Sequence, residues 1–478
     1  MSSAPARIVE AGGLAAALLL PLCFNPYARV PFEPAKIALF WAIVAVMGAA
    51  WLGWRLPGLL SRQPSQAGPA STGRWLFWTA ITYAGAVILA TVLSVDRRLS
   101  LWGTPDDPAG AVTLLAGVLF FVLLTSVLRR PAQINRLVQM LILASVPITV
   151  YGFAQALGLD PLPWITDSVS PVHATLGRSN FLGAYLAMVA PWTLALAVLG
   201  SRHGFRYAAD GYSTHGADGF RYAADGYSTD DRSASGSAAG SSRLWIILIL
   251  QVVCLALTLA RGAWLGLTVG CVVLLALLAI RWRERRFWLA AGLALIIGAV
   301  VLAALTFVRL PAGSRQAAAA GMSYPELRVE SALRRSVIWQ HALALAPQRW
   351  PLGYGPATFE QVFSSRYPPG TLYQGADAVV DDPHNILLER LLATGVLGLA
   401  ACAGVVAAFY GTGLALLRRS SDRRTDALLA AALASVAAYL TQALFNPDVI
   451  VLSMLFWLAL AVVAAVAQMD PVTVQENR

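Results

Sequence analysis

The sequence predicts an all-α membrane protein of about twelve transmembrane helices with a large loop domain on its outer face. Three observations predict it. First, the 478-residue chain is 58% hydrophobic and only 13% charged, with a mean hydropathy of +0.63. A soluble domain carries about 25% charged residues, so lipid must be the solvent for most of this surface. Second, about twelve runs are apolar over the length that a crossing helix needs, about 20 residues. Third, the arginines collect in alternate connections between those runs, as cytoplasmic loops require. That pattern also accounts for the net charge of +10 without nucleic acid as a partner.

The runs fall near 8–24, 36–54, 75–93, 109–128, 136–157, 181–200, 244–260, 263–280, 287–307, 385–417, 426–445 and 449–468. Arg7 and Glu10 stand at the front of the first, which has no small-residue cleavage site and reads as a retained helix. The basic connections carry Arg55, Arg62 and Arg74; Arg129, Arg130 and Arg136; the arginines of 201–243; Arg281, Arg283, Arg285 and Arg286; and Arg418, Arg419, Arg423 and Arg424. This places both termini in the cytoplasm of a multi-pass inner-membrane protein. The domains follow: helices one to six in 1–200, a cytoplasmic linker at 201–243, helices seven to nine in 244–307, an outer loop domain at 308–383, helices ten to twelve in 384–468 and a cytoplasmic tail at 469–478. The four cysteines, Cys23, Cys254, Cys271 and Cys402, lie in apolar runs with no CxxC spacing. Neither a disulfide framework nor a metal site is indicated.

Two segments are not membrane. GFRYAADGYS occurs at 204–213 and again at 219–228, ahead of SASGSAAGSS. Two copies do not build a solenoid, and the composition is that of a disordered linker. The 308–383 segment is rich in Tyr, Phe, Trp and Pro. Its SALRRSVIWQHALALA reads as an amphipathic helix, so an ordered cap on the outer surface is expected.

The chain has five histidines, and one of them, His384, sits in DDPHN where the cap meets the tenth run. Asp-Asp-Pro marks a helix start and places His384 in the first turn, at the outer water–lipid boundary. An interfacial histidine satisfied by its surroundings is one reading. The functional one is a general base, because an imidazole can take a proton from a hydroxyl near neutral pH, with Asp382 to orient it. Arg261, in LTLARGAWLGL, falls at the tip of a tight outer hairpin and breaks the charge pattern. It reads either as a snorkelling arginine or as an anion contact, since a guanidinium matches phosphate oxygens bidentately. Arg335 in RRSVIW reads as a headgroup contact or as a second phosphate ligand, and Lys36 in FEPAK as a further cation.

A base and two or three cations at the outer boundary suit glycosyl transfer from a polyprenyl-diphosphate sugar. The cations would neutralise charge growing on the diphosphate while the base activates a hydroxyl. The acidic pairs Asp106-Asp107 and Asp381-Asp382 lack DxD spacing, so arginine in place of a metal is the simpler idea. No cofactor is implied.

At this point the residues resemble a family. His384-Asn385, nine residues, then Gly395-x-x-Gly398 resembles the signature of the O-antigen ligase and polymerase superfamily. Arg261-Gly262 after a span, and Arg335-x-x-x-Trp339 ahead of PLGYG at 351–355, are similar to its other motifs. So is HATLGRSNFLGAYL at 173–186. The resemblance implies that His384 is the base, that Arg261 and Arg335 bind the diphosphate of an undecaprenyl-diphosphate-linked glycan, and that transfer to an acceptor glycan or lipid-linked glycan inverts the anomeric carbon without metal. Asn180, Asn385 and Tyr354 would support the site, Asn180 equally a helix cap and Tyr354 equally a packing residue. Ligase, polysaccharide polymerase and protein O-oligosaccharyltransferase stay open. Outside this class stand a transporter, which the near absence of midspan charges disfavours, and a non-catalytic glycan-assembly scaffold, in which His384 would be dispensable.

Overall fold

A computed structural model describes residues 4–60, 71–162, 170–200, 232–307, 324–367 and 380–469. Among these residues the chain is entirely helical apart from turns and connections. That is the expected outcome where the backbone has no water to bond: a helix satisfies its own amides and carbonyls.

Fifteen α-helices follow in chain order. They are α1 (Ala4–Leu19), α2 (Glu33–Leu60), α3 (Ser71–Val92), α4 (Arg97–Trp102), α5 (Ala111–Val127), α6 (Pro131–Ala156), α7 (Ser179–Gly200), α8 (Arg232–Leu257), α9 (Arg261–Trp282) and α10 (Arg285–Phe307), then α11 (Tyr324–Leu345), α12 (Phe359–Arg366), α13 (Ile386–Arg419), α14 (Arg423–Ala443) and α15 (Ile450–Met469). Nine described helices are long and apolar enough to cross a membrane: α2, α3, α6, α7, α9, α10, α13, α14 and α15. Two further apolar helices are shorter, α5 and the apolar part of α8. The expected GFRYAADGYS repeat lies outside the described residues. The SASGSAAGSS stretch, read from sequence as linker, is instead helical and forms the front of α8. Serine and glycine are modest to poor helix formers, so this front portion is an extension of the apolar turns that follow it.

The buried centre of the bundle is α7, α14 and α15, enclosed on nearly every side, whereas α2 and α10 present most of their apolar surface outward. α14 packs along α9 and α7, α15 along α5, and α13 along α3. The connections at 93–110, 170–178, 258–260 and 444–449 lie with the α11–α12 segment at one end of the bundle, as their mutual contacts show. There the cap has its own small core of Ile338, Ala342, Leu345, Tyr354, Phe363 and Leu392.

That cap is fastened into a break in α13. Gly395 adopts φ 66°, ψ −170° in the middle of the helix, which frees carbonyls before it and amides after it. The PLGYG backbone satisfies them: Tyr354 N donates to Leu392 O (2.7 Å), Gly355 N to Ala393 O (3.0 Å), Val396 N to Trp350 O (2.8 Å) and Leu397 N to Pro351 O (3.3 Å). The approach leaves no room for a side chain. A Cβ on Gly395 would fall 2.3 Å from Pro351 O, and one on Gly353 would fall 2.5 Å from Leu392 O. Gly395→Ala should therefore destabilise the protein by at least about 2 kcal/mol, from a strained φ and a backbone clash together. Thermal unfolding in detergent would read it, with earlier proteolysis of the cap. An unchanged melt would show that the joint is dispensable.

Candidate functional site

The sequence expectation for His384 needs one correction. α13 starts two residues later, at Ile386, and Asn385 is its N-cap: Asn385 Oδ1 accepts from Leu387 N (3.0 Å) and Leu388 N (3.2 Å). Asparagine is among the strongest N-caps, so the helix begins after it. His384 is left outside the helix, with a left-handed backbone at φ 55°. That conformation is uncommon for a residue with a Cβ. It is held from both sides. His384 N donates to Asp382 Oδ1, and Trp339 Nε1 donates to Pro383 O at 2.8 Å.

The imidazole is oriented as a base would be. Its Nδ1 lies 2.8 Å from Asp382 O and 3.4 Å from Asp382 Oδ1. A carbonyl oxygen only accepts, so Nδ1 carries the hydrogen and the lone pair of the neutral ring resides on Nε2. The side chain is 23% exposed, enough for Nε2 to reach a substrate. Asp382 therefore acts through both its main-chain and side-chain oxygens.

Arg335, on α11 one turn before Trp339, feels the charge of Arg261, the first residue of α9. Burial, and then the positive charge of Arg261, lower the pKa of the Arg335 guanidinium. Neither arginine has a carboxylate partner among the described residues. Each is half-buried, and a guanidinium fork suits the oxygens of a phosphate. Arg261 follows the sharp turn at Leu259, which has φ 56°. Gly262 sits so close to Asn446 that a Cβ there would fall 2.8 Å from Asn446 Nδ2.

The remaining expected residues take other places. Lys36 is fully buried, and its ammonium donates to Cys23 O and to Thr175 O (2.7 Å). It staples the α1–α2 connection to the turn before α7. Asn180 is the second residue of α7, and its Nδ2 donates to Asn446 Oδ1 at 3.2 Å. Tyr354 is a packing residue whose hydroxyl donates to Leu345 O at 2.9 Å. The two acidic pairs noted in sequence are neighbours. Burial, then the charges of Asp382 and Asp381, push the Asp107 carboxyl up to about 6, against the pull of the Ala109 amide and of Arg178. Among the described residues no three His, Cys, Asp or Glu converge closely enough to hold a metal ion.

Sequence reasoning missed a second group. Arg390, on the second turn of α13, is buried and pairs through Nη2 with Asp448 Oδ2 (3.0 Å) and through Nη1 with Glu389 Oε1 (3.3 Å). Both side chains of the Arg390–Asp448 pair are under a tenth exposed. They line a cavity of about 40 Å³ with Tyr83, Tyr439 and Ser453. Removing one partner of a buried pair typically costs about 3–5 kcal/mol. The available signal was Asn-Pro-Asp at 446–448, a polar triplet between two apolar runs.

Comparison with known families agrees with the motifs. Residues 246–403 match the model of a family described as O-antigen ligase, which supports the O-antigen ligase superfamily for this chain. The match takes in Arg261, Arg335, PLGYG and His384. No curated protein matches the chain.

Proposed function

We propose that the protein is an inverting glycosyltransferase that moves a glycan from undecaprenyl diphosphate to an acceptor hydroxyl on the outer face of the cytoplasmic membrane. In this reading α1, α5 and α8 cross the membrane beside the nine longer helices, and the arginine-rich connections lie inside with both termini. The observation that carries the reading is the His384 imidazole, with Nδ1 turned to Asp382 O and the preceding carbonyl held by Trp339, one turn along α11 from Arg335, which feels the charge of Arg261.

In this mechanism His384 Nε2 takes the proton of the acceptor hydroxyl. The oxygen attacks the anomeric carbon from the face opposite the diphosphate. A new glycosidic C–O bond forms with inversion as the bond to the diphosphate breaks, and the electron pair leaves on the diphosphate oxygen. Arg261 and Arg335 stabilise that charge, and the His384 proton passes to solvent. The imidazolium is steadied by Asp382, which lies against Nδ1. The guanidinium pair takes the role that a divalent ion plays in other glycosyltransferases, and Lys36, bonded to Cys23 O and Thr175 O, is left out of the phosphate site.

The test is direct. The purified protein in nanodiscs receives a polyprenyl-diphosphate-linked glycan and a lipid-linked glycan acceptor, with and without EDTA. Transfer with inverted anomeric configuration, unaffected by EDTA, is expected. Retention of configuration, or transfer abolished by EDTA and restored by a divalent ion, would overturn the mechanism.

A further inference from the structure

We propose that the turn Phe445-Asn446-Pro447-Asp448 is the positioning hub of the site, holding the arginine pair and the histidine in register. This rests on the glycosyl-transfer reading of the site. The turn lies beyond the segment that matches the family. None of its residues touches the reacting atoms.

Each side chain of the turn grips a different element. Asn446 Oδ1 accepts from Asn180 on α7 (3.2 Å), and its amide packs on Gly262, next to Arg261 on α9. Its Nδ2 also donates to Gln442 O and Oε1 on α14, which locks the amide plane. The Phe445 ring stands 6.4 Å from that of Trp339 on α11, and Trp339 holds the carbonyl before His384. Asp448 binds Arg390, on the second turn of the helix that begins just after His384. On the far side, Glu33 Oε2 of α2 accepts from Ile450 N, which anchors the start of α15. Pro447 fixes one backbone dihedral in the middle of these contacts.

The contacts divide into two arms. The Asn446 arm reaches the start of α9 beside Arg261, and the Asp448 arm reaches the helix that begins after the base. Binding the diphosphate and activating the hydroxyl then depend on different residues of one turn. Because a misplacement of about 1 Å can cost on the order of 10²-fold in rate, the two arms should fail separately.

Three readouts on the full-length protein in detergent decide it: affinity for farnesyl diphosphate, the rate of diethyl pyrocarbonate modification of His384 followed by mass spectrometry, and the KM and kcat of glycan transfer. Asn446→Ala should weaken farnesyl diphosphate binding and raise the donor KM by about tenfold, leaving His384 modification within about twofold of wild type. Asp448→Asn should lower kcat by about 10–100-fold and alter the His384 modification rate, leaving diphosphate affinity unchanged. If Asp448→Asn does not fold, Asp448→Glu is read instead, since it keeps the charge and moves it by one methylene. Both readouts moving together in each variant, in step with a lowered melting temperature, would make the turn merely structural and overturn the proposal. So would variants in which neither moves. Wild-type transfer by His384→Ala would remove the glycosyl-transfer reading, while the diphosphate affinity and the modification rate would still decide the hub.

Discussion

Replacing His384 with alanine should lower glycan transfer by about 10²–10⁴-fold, the span usual for loss of general-base help, with the fold intact. The side chain is only partly buried and makes one hydrogen bond, to the carbonyl of Asp382. Removing it leaves no charge stranded in the interior and no cavity in the bundle. What it removes is an imidazole whose tautomer is already set. With Nδ1 donating to a carbonyl, Nε2 needs no rearrangement to accept a proton. Alanine also adopts φ 55° no more readily than histidine, so the turn should be held as before by Trp339 and by the bond from residue 384's amide to Asp382. A melting temperature near wild type with transfer reduced a hundredfold or more would assign the chemistry to the ring. Transfer at the wild-type rate would leave His384 as a residue that shapes a turn, and the protein as an assembly scaffold.

How much of this was legible in the sequence depends on where each signal lies. The bundle was legible because apolar runs are long, contiguous and chemically uniform. The helices α2, α7, α13 and α15 appear within a few residues of the runs that predict them. Arg261 and His384 were legible because each is a polar residue where an apolar pattern begins or ends. Lys36 has the same appearance, a cation at the start of a run, yet it is fully buried on two carbonyls. Sequence cannot separate the two cases, because the carbonyls come from 13 and 139 residues away. The joint at Gly395 was hidden for a related reason. The motifs PLGYG and Gly-x-x-Gly were both visible, but what unites them is main-chain hydrogen bonding, which every residue offers and no residue type announces. The register of His384 was misread because Asp-Asp-Pro is a plausible helix start, while the stronger cap, Asn385, follows it. Asp448 was passed over because its partner, Arg390, lies 58 residues away in sequence.

Neutralising Arg335 with glutamine should lower kcat/KM by about 10²–10³-fold, the range for loss of one donor that stabilises charge in a transition state. Arg261→Gln should do the same. Most substitutions that damage function by damaging the fold also lower stability, and these should not. Burial and the neighbouring positive charge of Arg261 both lower the Arg335 guanidinium's pKa. A cation with a pKa lowered in the folded state is less favourable there than in the unfolded chain. Its removal should leave the melting temperature unchanged or raise it, and removal of Arg261 should relieve the same repulsion from the other side. On the proposal that both guanidiniums meet one diphosphate, the double substitution should cost less than the product of the two single effects. Lysine at either position keeps the charge but loses the fork, so it should fall between wild type and glutamine. Steady-state transfer kinetics with thermal melts of the five variants would check the set. Loss of transfer accompanied by a lowered melting temperature in both single glutamine variants would mean that the arginines hold the fold. Loss of transfer with equal or greater stability would identify two cations kept close together, at a cost to the free protein, for the charge that the leaving group develops.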